Sequence, residues 1–332
     1  MRFQCVFAVA LVGMVVMPQP AARAGERIEE PAASITVRKL GEAGPWEIVD
    51  RGKPVLRYNY QIVAEPAEVK KLVAAGNRKY AIDRCDYIHP LYGLNGEVLT
   101  EDWPKDHPHH RGIYWAWPEV DWQGKRGDLH ALQEVFARPT GKIRAVEGPQ
   151  FAEIQAENQW CWGGTTPIVR EEATLRAWRR TEAGRAVDLE FRFTAIDADV
   201  RIARRGQSHY GGLNLRFAPL ANQKIVPFTD PVGVKPRLAW AERGGTSRDG
   251  RPVSLTILQS PGNPDYPGDW VQYANLSWIQ PTFPAAGTRW TIGKDRPVVL
   301  RYRLWIHDQP VDDAAARKLA TEYAAKPQGA PP

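Results

Sequence analysis

Val187-Asp188-Leu189-Glu190-Phe191-Arg192-Phe193-Thr194-Ala195 decides the fold class. Apolar side chains stand at every odd position and polar ones at every even position, the two-residue period of a strand with one face on a core and one in solvent. The rhythm returns near the end of the chain, where Val298, Leu300, Tyr302, Leu304 and Ile306 alternate with Val299, Arg301, Arg303, Trp305 and His307. Shorter strands are predicted at 34–40, 54–61, 112–117, 132–137, 142–146, 151–159, 172–180, 213–217, 253–258 and 288–292. So many antiparallel candidates, punctuated by Gly, Pro and Asp, imply sheet packed on sheet: an all-β protein built as a large antiparallel β-sandwich.

Helical signals are few. Pro66 at a first-turn position, Val69, Leu72 and Val73 on one face and Gly76 beyond them read as a short helix or an insertion loop. Asp312 or Asp313 can cap a C-terminal helix through Ala324 with Ala316, Leu319, Ala320 and Tyr323 as its packing stripe. No repeat or linker divides residues 30–325, so one sandwich domain over 25–325 is expected, with two tandem sandwiches as the competing parse and a disordered tail at 326–332.

Across 332 residues, 43% hydrophobic and 25% charged side chains exclude a disordered chain, a collagen and a multi-span membrane protein. Met1-Arg2, an apolar run from Val6 to Met17 and Ala22-Arg23-Ala24 before Gly25 have the layout of a secretory signal, so residues 1–24 are expected to be cleaved, with an uncleaved anchor as the alternative, and the mature protein to be periplasmic or secreted. The run is too short to span a bilayer. Losing Arg2 and Arg23 lowers the net charge from +6 to +4, and the remaining cations are scattered doublets, which gives nucleic-acid binding no support. Two cysteines remain, Cys85 and Cys161; a disulfide and two buried thiols both fit.

The chemistry-bearing segment holds four of the seven histidines: His89 in Tyr87-Ile88-His89-Pro90-Leu91-Tyr92, then Asp106-His107-Pro108-His109-His110-Arg111-Gly112. If this block lies extended, His107 and His109 project to one side and His110 to the other. Paired imidazoles either form an acid and base set or hold a divalent metal, with His107 and His109 as ligands completed by Glu134 or His209. Asp106 is placed to orient a ring nitrogen. The same residues could instead only satisfy backbone carbonyls in a proline-rich turn. A second cluster, His209-Tyr210-Gly211-Gly212, combines a rim histidine with a glycine pair that permits a bulge or a close ligand approach at a strand start, an ordinary edge bulge being the competing reading. A third is the turn-rich loop 259–270 with Asn263 and Trp270. Tyr92, Arg111, Trp115 and Trp117 join His89, Asn263 and Trp270 as candidate ligand contacts, since flat aromatic faces match sugar C–H faces; core packing is the competing role of each tryptophan. The chain has no Gly-x-Ser-x-Gly elbow, Walker loop, Gly-x-Gly-x-x-Gly or His-Glu-x-x-His.

Tyr87-Ile88-His89-Pro90-Leu91-Tyr92, Gly96, Leu99-Thr100, the Asp106–Gly112 block, His209-Tyr210-Gly211-Gly212-Leu213, Pro261-Gly262-Asn263-Pro264 and Leu300-Arg301-Tyr302-Arg303-Leu304 resemble, in this order, a secreted bacterial family called PmoA-like, over roughly Ser34 to Tyr323. Residues 65–79 look like an insertion. The methane monooxygenase subunit of that name is an integral membrane protein, so methane chemistry is set aside. The resemblance implies an exported protein of unsettled activity, common in carbohydrate-degrading bacteria, with a sandwich similar to the galactose-mutarotase supersandwich, in which a histidine and a carboxylate exchange protons with a sugar.

Three functions follow. The leading one is a carbohydrate-active enzyme for hydrolysis, elimination or epimerisation, with His107, His109 or His110 as acid or base and His209 opposite. The others are a metal-dependent version and a non-catalytic carbohydrate-binding protein. In all three the partner is a small-molecule or oligosaccharide ligand.

Overall fold

The structure, a computed structural model, describes residues 1, 34–226, 237–273, 276–327 and 329–332. Residues 2–24 of the expected leader lie outside the described residues. The alternating stretch folds as a strand, Arg185–Ala195, in which Val187, Leu189, Phe191, Phe193 and Ala195 are buried, while Asp188 and Glu190 are half-buried and Arg192 is exposed. It pairs antiparallel with Thr166–Trp178 and Val298–His307, which sets Leu189 opposite Leu175 on one side and Tyr302 on the other.

Three antiparallel sheets account for the named strands. The first runs, in spatial order, β1 (Thr36–Lys39), β2 (Trp46–Asp50), β3 (Lys53–Asn59), β4 (Tyr87–Leu91), β5 (Ile113–Trp115), β13 (Leu213–Arg216), β18 (Trp278–Pro281) and β17 (Trp270–Tyr273). The second runs β14 (Ala221–Val226), β15 (Trp240–Thr246), β16 (Pro252–Gln259), β20 (Val298–His307), β11 (Arg185–Ala195), β10 (Thr166–Trp178), β9 (Phe151–Trp162) and β8 (Val135–Glu147). A four-stranded sheet of β19 (Trp290–Ile292), β12 (Val200–Ala203), β6 (Glu119–Trp122) and β7 (Lys125–Gly127) adjoins them. One apolar core draws Leu56, Ile88, Trp115 and Leu215 from the first sheet and Ile154, Leu175, Phe193 and Leu304 from the second. The fold is therefore the expected all-β sandwich. Full burial of each such side chain contributes about 1.5–3 kcal/mol.

The strands expected at 132–137 and 142–146 are one strand, β8, with a register irregularity between Pro139 and Ile143. Several strands were hidden from the alternation rule because they bury charge. β6 carries Glu119 and Asp121, and β15 carries Glu242 and Arg243, all buried. These charges are matched: His307 Nε2 lies 2.9 Å from Glu242, and Arg243 donates to the Ala218 carbonyl and to Gln223.

The first helix, α1 (Ala67–Leu72), buries none of its residues; Leu72 is exposed and only Val73, just past the end, turns inward. Six residues are too short to present a packing stripe. The C-terminal helix α2 (Asp313–Ala325) follows the sequence closely: the Asp312 carboxylate accepts from the Ala314 and Ala315 amides, and Ala316 and Ala320 are buried with Val226, Trp240 and Leu258. Beyond it, the Ala330 carbonyl accepts from Arg303 at 2.7 Å. Among the described residues no helix is long and apolar enough to cross a membrane.

Cys85 and Cys161 are free, buried thiols, and burial pushes the Cys85 thiol far up. Next to Cys85 the core holds a polar inclusion. Asp86 Oδ1 accepts from the Tyr58 hydroxyl at 2.7 Å and from Asn158 at 2.9 Å, and Glu171 Oε2 accepts from Trp160 Nε1 at 2.7 Å. Burial raises the Asp86 carboxyl, and burial together with the Asp86 charge raises that of Glu171 well above the usual carboxylate range.

Candidate functional site: a buried histidine cluster

The histidine block folds as a turn. Pro108 takes the second position of a turn closed by the His110 amide donating to the His107 carbonyl at 2.9 Å, a place that the fixed φ of proline suits. His107, His109 and His110 therefore converge instead of dividing between two sides, as an extended block would have them. The His107 and His110 rings stack with centres 4.8 Å apart, His109 meets His110 edge-on at 4.7 Å, and His107 and His109 are 5.9 Å apart.

Two residues hold the turn in place. Arg111, fully buried, pairs with Asp102, donates to the Tyr87 hydroxyl and lays its guanidinium 3.7 Å from the Trp103 ring centre. Its position makes it a strut beneath the turn. Gly112 has φ +64° and passes so close to β4 that a Cβ would lie 2.2 Å from the Ile88 carbonyl oxygen, so only glycine fits.

A fourth ring comes from a loop that the sequence did not single out. Asp128 closes the segment 128–133 by backbone bonds with Gln133 and accepts the Ala131 amide on its carboxylate, which turns His130 inward. Arg84 fixes the same loop by donating to the Leu129 and His130 carbonyls at 2.7 Å each. His130 is 4.7 Å from His109 and 5.3 Å from His110, ring centre to ring centre, and its Nδ1 is 3.1 Å from the Tyr114 hydroxyl. A lone histidine in Asp-Leu-His-Ala-Leu carries no motif; its only local signal is the loop-closing aspartate two residues before it.

His109, His110 and His130 are buried, and each offers a ring nitrogen within 4.8 Å of the others. Burial, followed by the neighbouring Arg84 and histidine charges, lowers His109 to about 3; burial and the adjacent rings also hold His110 and His130 well below the usual imidazole range. All three are neutral at pH 7. His109 Nδ1 and His110 Nε2 are buried without a hydrogen-bond partner. In a tetrahedral zinc site with Zn–N near 2.0–2.1 Å, ligand nitrogens stand roughly 3.3 Å apart, so modest ring rotation would close this set around an ion.

His107 is the half-exposed member, with Nδ1 3.0 Å from Asp106 Oδ2. Asp106 also accepts from Arg216 at 3.1 Å, and Arg216 donates to Glu101 at 2.8 Å. Partial burial would raise the Asp106 carboxyl, but the His107 hydrogen bond and the Arg216 charge outweigh it and hold the group below its ordinary value. Trp278 meets His110 edge-on at 4.7 Å, Tyr210 lies 5.1 Å from His130 and Tyr80 lies 5.2 Å from His109, so aromatic rings line the cluster.

The other candidates stand apart. His209 is exposed, with its carbonyl taken by Arg204 at 2.6 Å; its neighbour Tyr210 reaches the cluster instead. Glu134 is exposed and outside the three-histidine group. Gly212, with φ +122°, lies close to the chain's own backbone at the Pro281 carbonyl and the Phe283 amide, the neighbour there being the strand end and not a ligand. His89 Nδ1 lies 3.0 Å from the Thr100 hydroxyl, and burial lowers its ring below the usual range. Tyr92 is half-buried near Arg57. Asn263 is buried and bonded to the Arg301 backbone. Trp115 and Trp117 stack 4.6 Å apart in the core, and Trp270 is buried with Nε1 donating to the Leu238 carbonyl. A groove of about 940 Å³ runs beside α2, lined by Thr256, Trp305, His307 and Tyr323, and includes none of the clustered histidines.

Fold and site together define an all-β sandwich with a buried polyhistidine centre beside one half-exposed histidine–aspartate pair. The chain belongs to a family of unknown function (DUF6807), which matches residues 46–321. No curated protein matches it.

Proposed function

We propose that this protein is an exported, metal-dependent enzyme acting on carbohydrate, with His109, His110 and His130 as ligands to one divalent ion and the Asp106–His107 pair as the proton-transfer group. The observation that carries the reading is three buried, neutral imidazoles side by side, two of them with unpartnered nitrogens. Burying polar nitrogens without partners costs about 1–3 kcal/mol each, a penalty that metal ligation removes. An all-imidazole set suits zinc and its late first-row neighbours. A ring held at about 3 is a weak general base at neutral pH, so acid–base work falls to His107, which reaches solvent and is oriented by Asp106. A bound ion would supply Lewis-acid polarisation of a substrate oxygen. His107 would move the proton, Asp106 would fix its ring, and the tyrosine and tryptophan rings would hold an apolar sugar face. Export is supported by the leader-like N-terminus, and carbohydrate by the PmoA-like resemblance.

A second reading rests on Arg216. Its Nη1 lies 3.5 Å from His110 Nδ1, which would place the ring proton on Nε2 and make His110 a donor to substrate in a metal-free acid–base site. Cobalt separates the two. Titration of the purified protein with Co²⁺ at pH 7 is expected to give one-equivalent binding with visible d–d bands, lost in His109→Ala and His130→Ala and kept in His107→Ala. Absence of bands in the wild type would discard the metal reading.

A further inference from the structure

A second, cationic pocket lies at the β2–β3 turn. Its volume is about 130 Å³, and its walls are Asp50, Arg51, Lys53, Pro54, the Gly93–Gly96 turn, Arg180 and Arg185. Four basic residues and one acidic residue thus line it, Arg51 and Lys53 on the exposed side and Arg185 on the buried side. That carboxylate is already engaged: Asp50 Oδ2 accepts from Arg185 at 2.7 Å and from the Arg180 amide at 3.1 Å. Nearby acids do little to balance the rest. Asp308 is 3.9 Å from Arg180, and Glu97 on the glycine turn pairs with Arg251 at 3.4 Å. Arg180 is held in place by donating to the Leu94 carbonyl at 2.9 Å. Arg185 is the built part of the site: its side chain is only 6% exposed, and its Nε is buried without a hydrogen-bond partner.

Gathering four like charges around a partly enclosed space is unfavourable unless an anion neutralises them, and arginine forks match the oxygen edges of tetrahedral anions. The space equals about four waters at ~30 Å³ each, enough for one compact oxyanion but not for a chain of sugars. We propose that this pocket binds a sulfate or phosphate group, either as the free ion or as an ester on a glycan. It shares no residue with the histidine cluster, so its occupancy is independent of the metal reading.

The test is calorimetric titration of the full-length protein with inorganic sulfate, inorganic phosphate and a monosaccharide sulfate, each against sodium chloride of matched ionic strength. Saturable one-site binding of at least one probe is expected. The exposed pair Arg51→Ala/Lys53→Ala is expected to weaken it about tenfold or more, as each lost charged hydrogen bond is worth roughly that factor. These two side chains are solvent-facing, so the variant keeps its fold; Arg180→Ala serves as a second, independent variant. Tighter binding of the sugar sulfate assigns the site to a glycan ester, and equal affinity assigns it to the free ion. No saturable binding above the chloride control, or affinity unchanged in both variants, would overturn the proposal.

Discussion

Acidification from pH 7 to pH 5 should destabilise the metal-free protein through its buried histidines. His109 is held at about 3 in the fold, against an ordinary imidazole value of 6.5. Between about pH 3 and pH 7 its folded form therefore binds fewer protons than the unfolded chain, so stability decreases as the pH is lowered through that window. At pH 7 the unfolded ring is mostly neutral and the linkage cost is near zero. At pH 5 the unfolded ring is almost fully protonated and the folded one is not, which costs about 2 kcal/mol for this residue. His110 and His130, lowered by the same burial, act in the same direction. The assay is urea denaturation followed by tryptophan fluorescence, in chelator, at pH 7, 6 and 5, for the wild type and His109→Gln. Other titrating groups largely cancel in that comparison. The wild type should lose about 2 kcal/mol more than the variant between pH 7 and pH 5. Parallel pH profiles would refute the claim that His109 is folded as a buried neutral ring.

Glu171→Gln should stabilise the protein increasingly as pH rises above about 4.5, because the unfolded carboxyl ionises there while burial keeps the folded one protonated, a linkage cost that glutamine does not carry; melting shifts equal at pH 5 and pH 7 would contradict this. Arg111→Met should lower the unfolding free energy by about 2–3 kcal/mol by taking the buried cation from the half-buried Asp102 carboxylate, and near-wild-type stability in urea would show that the strut is dispensable. Gly112→Ala should cost more than ~1 kcal/mol and reduce metal uptake, since the new methyl would collide with the Ile88 carbonyl; a variant with unchanged melting and uptake would remove Gly112 from the account.

The sandwich was legible because β11 and β20 alternate strictly, and because Asp312 and the alanine stripe of α2 form a local, sequence-contiguous signal. β6 and β15 were not legible: their inward charges are satisfied by partners far along the chain, such as Arg289 for Glu119 and His307 for Glu242, and no local pattern encodes those pairings. In the site, the Asp106–Arg111 segment was visible from composition, but its geometry was not. A closed turn and an extended run have the same residues, and the His110-to-His107 backbone bond separates them. His130 escaped notice because its role comes from tertiary placement, through Asp128, Arg84 and Tyr114. Of the two roles open to the tryptophans, core packing is the one that Trp115 and Trp117 take, stacked on each other and edge-on to Phe193.

If His109, His110 and His130 hold one metal ion, elemental analysis of the protein purified without chelator, beside His130→Ala prepared identically, will show it. Close to one equivalent of a single late first-row metal in the wild type, and a small fraction of that in a folded His130→Ala, is the predicted result. A wild type free of metal after growth and dialysis with zinc, or a His130→Ala variant that retains its full equivalent, would contradict it.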